Sequence, residues 1–332
     1  MIRIPDDYES SQGSNQNEKD SKGWSPDTAV IQEVSLKEAM NQYKYASRVE
    51  GKAKKTLEQY NYVFEKFLEF LSADIPINAI TPSDVRGFLN SLMNKGLAKA
   101  TVAIHHRVLQ ALFNWLVRED LLDKAPTVNI KEPKTPKQYP KVLNEEQANK
   151  LIRAAEGNKG SWAGYRNFTI IVCFLDMGLR LSELVDARLI DLNFEERTLK
   201  VRGKGAKDRM VYFGLETYRA LRKWVGMRDM KGKPKDNTIF ISRTGETLKK
   251  RYVQHIVSSL QQEAGLEEVK VSPHVLRHTA ATLAVKNGMG AFPLQWFFGW
   301  ESIRTAMRYV HMNGEAVRDS FQKASPMDNL RG

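Results

Sequence analysis

Four prolines, Pro126, Pro133, Pro136 and Pro140, fall between Ala125 and Asn144 and forbid a regular helix or a central strand across that stretch. A chain of 332 residues interrupted there is expected to fold as two bodies, each of ordinary domain size. Lys131, Lys134, Lys137 and Lys141 make the interruption basic, so residues 125–144 read as a linker that either follows a phosphate backbone or serves as a solvated spacer. Before it, residues 1–33 are polar, lack apolar periodicity and read as a flexible tail. From Ser35 the pattern turns helical. Leu57, Tyr60, Phe64, Phe67, Leu68 and Leu71 recur at three- and four-residue steps, and further helices are expected at Leu36 to Arg48, Ser83 to Asn94 and Thr101 to Arg118. Residues 35–123 thus read as a small all-helical domain.

After the linker, Glu145 to Ala155 and the nearly apolar Trp162 to Met177 read as helices. Glu195 to Val201 and Arg209 to Phe213 are β-prone runs joined by the glycine-rich, cationic tip Gly203-Lys204-Gly205-Ala206-Lys207-Asp208, which predicts a hairpin. Thr238 to Ser242 is a further strand candidate, and the remainder is expected to be helical to about residue 323, with a tail at 324–332. The expected fold is mainly α with a small β-hairpin or sheet in the C-terminal domain, 145–323.

The chain carries 51 Lys+Arg against 39 Asp+Glu. Residues 1–33 hold a net charge of −4, which leaves +16 on the remainder. A surplus of that size points to a polyanionic partner, nucleic acid first, with a basic solvated surface as the plainer alternative. One cysteine, Cys173, excludes an internal disulfide and a cysteine-based zinc site and fits a reducing compartment. No unbroken apolar run approaches a membrane span and the N-terminus lacks the pattern of a signal peptide, so a cytoplasmic protein without a membrane partner is expected. The histidines show no HExxH spacing, and Gly203-Lys204-Gly205 does not continue as a P-loop. Neither metal nor nucleotide is expected.

The chemistry-bearing residues cluster in the second half. Gly178-Leu179-Arg180-Leu181-Ser182-Glu183-Leu184 sets an arginine between the end of an apolar helix and the start of the next. In Ser272-Pro273-His274-Val275-Leu276-Arg277-His278, a Ser cap and a Pro at the first helical position place His274 in the first turn and Arg277 one turn on, beside a helix N-terminus suited to an anion. Phe298-Gly299-Trp300 then precedes Tyr309 in Met307-Arg308-Tyr309-Val310-His311.

These motifs, in this order, resemble those of the tyrosine recombinases, the family of phage integrases and Xer-type recombinases. The resemblance spans about residues 35–323. It implies a two-domain DNA clamp, with 35–123 as the core-binding domain, and a site-specific recombinase that cuts and rejoins DNA through a 3′-phosphotyrosyl intermediate and a Holliday junction. The biological setting would be integration and excision, or resolution. Carried over residue by residue, it makes Arg180 and Arg277 the catalytic arginines, Lys204 the hairpin lysine with Lys207 as its spare, His274 the histidine of the His-x-x-Arg pair and Tyr309 the nucleophile. Trp300 stands where many members have histidine; indole donates a hydrogen bond but cannot transfer protons, which leaves that work to His274 and Lys204. Glu183 reads as a structural acid orienting an arginine, His278 as a packing histidine and His311 as a neighbouring helix histidine, all three outside the catalytic set. The implied partners are double-stranded DNA with paired inverted-repeat sites and three further copies of the chain, a tetramer on two sites at the nucleoid. No cofactor is implied, because the phosphotyrosyl bond keeps the energy needed for rejoining. The alternatives are a type IB-like topoisomerase, which would relax a plasmid lacking any specific site, and a non-catalytic DNA-binding protein, which would form no covalent adduct.

Overall fold

The computed structural model of the chain describes residues 34–134, 140–203, 208–231 and 234–310, which fall into two units, 34–134 and 140–310. The first holds α1 (Leu36–Val49), α2 (Lys54–Leu71), α3 (Pro82–Asn94) and α4 (Lys99–Arg118). Local chemistry sets the starts. Ser35 Oγ accepts from the Glu38 N–H, and Thr81 and Asp84 form a capping box with Pro82 as the first helical residue. The apolar stripe of α2 is the buried one: Phe64 and Phe67 share a core with Phe88, Leu109 and Phe113, and the Phe67 and Phe88 rings lie 5.1 Å apart.

The segment expected to be a linker begins inside this core. Ala125, Pro126 and Thr127 are buried, and the Ile130 carbonyl lies 3.0 Å from His106 Nε2. Proline forbids the helix there but does not stop apolar side chains from gaining by burial. Residues 135–139, with Pro136 and Lys137, lie outside the described residues, as do both tails at 1–33 and 324–332.

The second unit runs α5 (Glu145–Gly157), α6 (Trp162–Met177), α7 (Leu181–Asp186), β1 (Leu192–Asn193), β2 (Thr198–Arg202), β3 (Asp208–Tyr212), α8 (Leu215–Lys231), α9 (Lys250–Glu263), α10 (Pro273–Lys286), α11 (Ala291–Phe298) and α12 (Ile303–Val310). Ile170, Ile171, Cys173 and Phe174 of α6 are fully buried at its centre, as an all-apolar helix requires. The three strands form an antiparallel sheet in the order β1-β2-β3, with Leu199 opposite Val211 and Arg202 opposite Asp208. The fold is therefore mainly helical with one small sheet, as expected. The hairpin tip, residues 204–207, lies outside the described residues.

Two expected strands differ. The run from Glu195 enters the sheet only at Thr198, because Asn193 Oδ1 accepts from the Glu196 N–H and Arg197 turns the chain with φ of 50°. Thr238 to Ser242 forms only isolated bridges, Arg188 to Thr238 and Ile241 to Thr247. Side chains take the carbonyls a neighbouring strand would use: Arg228 Nε donates to Thr238 O, Trp224 Nε1 to Ile239 O and Arg166 Nη1 to Ile241 O.

Helix α6 ends at Gly178, whose φ of +56° is a left-handed cap and whose added Cβ would stand 2.3 Å from Phe298 of α11. Gly178→Ala is therefore expected to lower the unfolding free energy by about 1–3 kcal/mol in urea titration of the full chain. Gly157→Ala, with no atom within 4 Å of the new methyl, serves as the control. Equal stability of the two variants would contradict the close seat of α6 on α11.

Candidate active site

Arg180 is the N-cap of α7, with an extended backbone. Three residues on, Glu183 folds back: its Oε2 accepts from the Arg180 N–H at 2.7 Å and its Oε1 from Arg180 Nη1 at 2.7 Å. Arg209 of β3 grips the same carboxylate through both terminal nitrogens, at 2.5 and 2.9 Å, and Arg277 Nη1 stands 3.8 Å from it. Further donors close on helix ends. Arg277 donates to Gly178 O at 2.5 Å and to Phe298 O, Arg180 to Gly299 O at 2.8 Å, and Arg209 Nε to Phe297 O at 2.9 Å.

Three guanidinium groups on one carboxylate leave two positive charges uncompensated. Burial alone would raise the Glu183 carboxyl, but the hydrogen bonds and charges of Arg209 and Arg180 outweigh it and hold it below the usual carboxylate value. Burial, then repulsion from Arg180, lowers the affinity of Arg277 for its proton, an excess of positive charge suited to an incoming anion.

Helix α10 starts as its sequence predicts, with Ser272 Oγ accepting from the Val275 N–H and Pro273 as the first residue. His274, Arg277 and His278 then share one face, at steps of three and four residues. His274 Nε2 and His278 Nε2 are 2.8 Å apart, and His278 Nδ1 meets the Tyr309 hydroxyl. Burial, then the charges of His274, Arg277 and Arg308, pushes His278 down to about 4; burial and Arg277 also lower His274. Tyr309 is 2% exposed, and burial pushes its phenol up to about 12 against the opposing pull of Arg277 and Arg308.

The Tyr309 ring lies parallel to Trp300 at 5.1 Å, Trp300 stacks in turn on Phe298 at 4.9 Å, and the Arg277 guanidinium lies 5.2 Å from the Phe298 ring centre. Among the described residues the Trp300 indole N–H has no protein acceptor, so it stands available to a ligand while its face holds Tyr309. Arg180, His274, Arg277 and Trp300 line one cavity of about 510 Å³, with Tyr309 stacked behind Trp300. Lys204 and its spare Lys207 lie outside the described residues, as does His311.

Two members of this arrangement were not expected from the sequence. Arg209 reads there only as the start of a β-prone run. His278 reads as packing, although its four-residue step from His274 is a signal that both rings share a face.

Residues 141–315 match the phage integrase family, and residues 39–123 match the N-terminal SAM-like domain of phage integrases. The tyrosine recombinase XerC of Thermodesulfovibrio yellowstonii is 31% identical over 282 residues, covering 83% of this chain and 92% of that protein. XerC of Oceanobacillus iheyensis is 31% identical over 280 residues, 82% of this chain and 91% of that one. Among solved structures, the Tn1549 transposon integrase in complex with transposon right end DNA superposes with a TM-score of 0.72 at 21% identity, covering 88% of this chain and 100% of that one. The XerH site-specific recombinase bound to a palindromic difH substrate gives 0.70 at 23%, covering 89% and 85%.

Glu183→Gln keeps the shape and removes the charge that three arginines share, so it is expected to cost about 3–5 kcal/mol in chemical denaturation of the full chain. A cost below about 1 kcal/mol would mean that the arginines hold their places without it. The histidine pair makes a separate prediction. Because His278 binds its proton less readily folded than unfolded, the stability it contributes is complete above about pH 6.5 and declines as the pH falls toward 4. The loss of unfolding midpoint over that window should be smaller in His278→Asn than in the parent; equal losses would contradict the folded-state shift.

Proposed function

We propose that Tyr309 is the nucleophile of this chain, which belongs to the phage integrase family and is a tyrosine recombinase, an enzyme that cleaves and rejoins DNA in site-specific recombination. The observation that carries the assignment is the convergence of Arg180, His274, Arg277 and Trp300 on one cavity, with Tyr309 stacked against its wall. Attack of Tyr309 Oη on a phosphodiester forms a P–O bond, breaks the bond to the 5′ oxygen and raises the charge on the non-bridging oxygens in between. Arg180 and Arg277 meet that charge. Each spends two of its five N–H groups on protein acceptors, which leaves three for phosphate. The Trp300 indole adds one neutral donor. The departing 5′ oxygen needs a proton, and Lys204, an ammonium on the hairpin tip, is the donor this reading assigns. Rejoining reverses the steps, with the 5′ hydroxyl attacking the phosphotyrosyl bond.

Tyr309 is 2% exposed, so its attack on a phosphate calls for a shift of α12. Two cut duplexes must be held together for strand exchange. The proposed assembly is therefore four copies on two sites, each an inverted repeat, passing through a Holliday junction; the palindromic substrate of the XerH structure supports that site symmetry. Among the described residues no helix is long and apolar enough to cross a membrane, and the proposed place of action is the nucleoid in the cytoplasm.

Tyr309→Phe removes one hydroxyl and leaves the stacked ring. It is expected to abolish covalent attachment to a nicked suicide substrate, read as loss of the slow-migrating band in denaturing gels, while DNA affinity stays within about twofold. A persistent adduct would move the nucleophile elsewhere.

A further inference from the structure

His278 occupies a place that packing does not explain. Its Nδ1 meets the Tyr309 hydroxyl and its Nε2 faces His274 Nε2 at 2.8 Å, so it stands between the attacking atom and the histidine that lines the cavity. The tautomer we assign has the phenol O–H donate, which makes Nδ1 the acceptor. A neutral imidazole with an accepting Nδ1 carries its proton on Nε2, and that proton points at His274, whose Nε2 accepts it. In that tautomer the three groups form a chain of hydrogen bonds that runs from Tyr309 through His278 to His274. Among the described residues the Tyr309 hydroxyl has no other acceptor, and Trp300, stacked on its face, offers none.

We infer that His278 is a further catalytic residue of strand cleavage: its Nδ1 takes the phenol proton of Tyr309 while its Nε2 proton passes to His274 Nε2. The inference rests on the reading of Tyr309 as nucleophile. The shift of α12 must keep Oη within reach of Nδ1, and the Oη–H bond then breaks as Oη forms its bond to phosphorus. The bond from phosphorus to the 5′ oxygen breaks, and its electron pair leaves on that oxygen, which is protonated by the hairpin ammonium. The positive charge released from the phenol comes to rest on His274, at the cavity, beside the phosphate. His278 ends neutral with its proton moved from Nε2 to Nδ1, and rejoining returns both protons.

The electrostatics agree with the direction. Burial and the charges of His274, Arg277 and Arg308 keep His278 neutral at physiological pH, so its lone pair is free to accept. Tyr309 is buried, is pushed up to about 12 and cannot ionise unaided. A phosphate seated at Arg180 and Arg277 offsets the positive field that disfavours a protonated histidine, so the pair becomes more basic when substrate arrives. The receiving base is thus strengthened by the DNA it serves.

The test uses the full chain and a nicked duplex carrying the site that the Tyr309→Phe protein selects from random-sequence DNA. His278→Asn keeps a polar group near Nδ1 but cannot carry a proton, and it is expected to slow adduct formation at pH 7.5 about a hundredfold or more with DNA affinity unchanged. The deciding arm replaces Tyr309 by 2,3-difluorotyrosine, whose phenol ionises far more readily. In that background the His278→Asn loss should shrink at least tenfold, which a packing role would not produce. Parental cleavage by His278→Asn, or a loss undiminished by fluorination, would overturn the inference. Where His278→Asn does not fold, the 15N shifts of His278 in the parent decide: Nδ1 bare and Nε2 protonated is expected, and the opposite tautomer overturns the relay. An adduct surviving in Tyr309→Phe would instead overturn the nucleophile assignment itself.

Discussion

Like charges drawn from distant stretches of chain do not share a small volume unless something opposes their repulsion, and here the opposing group is the carboxylate of Glu183. Arg180 begins α7, Arg209 lies on β3 and Arg277 on α10, and all three reach that side chain. Helix ends supply a second, weaker opposition. Both α6 and α11 close on left-handed glycines, Gly178 and Gly299, and carbonyls at those ends receive further arginine donors. A buried ion pair of this kind contributes little net stability against an apolar replacement, but it sets one register for the parts that carry it. The sheet, the α6 end, α10 and the α11 end are held to one another at the point where two arginines retain donors to spare.

Tyr309 is placed through the same knot, though it does not touch Glu183. Arg277 lies against the faces of Phe298 and Trp300, and Trp300 lies against Tyr309, so the position of the phenol follows from that of the guanidinium through a stack of rings. Stacked faces resist tilting but slide at small cost. The arrangement therefore keeps the proposed nucleophile near the cavity that Arg180 and Arg277 line, while the stack lets α12 adjust.

Much of this was legible in the sequence, for reasons that differ by residue. Ser272-Pro273 fixes the first turn of α10, so the shared face of His274 and Arg277 follows from helix geometry. Gly178 ahead of Arg180 marks a helix end and a turn toward the next, where the arginine stands. Glu183 reads in the sequence as an acid that orients an arginine, and the structure pairs it with Arg180 three residues before it. Arg209 was not legible, because its partner lies on another element and a lone arginine in a β-prone run has no local signature. The strand expected at Thr238 to Ser242 failed on the same ground: whether a carbonyl meets a strand or the side chains of Arg166, Trp224 and Arg228 is decided by tertiary contacts.

The indole at position 300 constrains the proton's path more than any histidine does. A second histidine there could have accepted from the nucleophile or given to the leaving group, and the roles on α10 would have stayed ambiguous. Tryptophan can do neither, since its ring nitrogen only donates. The path proposed for the Tyr309 proton therefore crosses to α10, where the ring that meets the hydroxyl is His278. His274, one turn nearer the N-terminus, lines the cavity where the phosphate's charge would stabilise the cation. The separation is chemically sensible: the histidine at the phenol stays neutral before and after the transfer, and the one at the phosphate carries the charge.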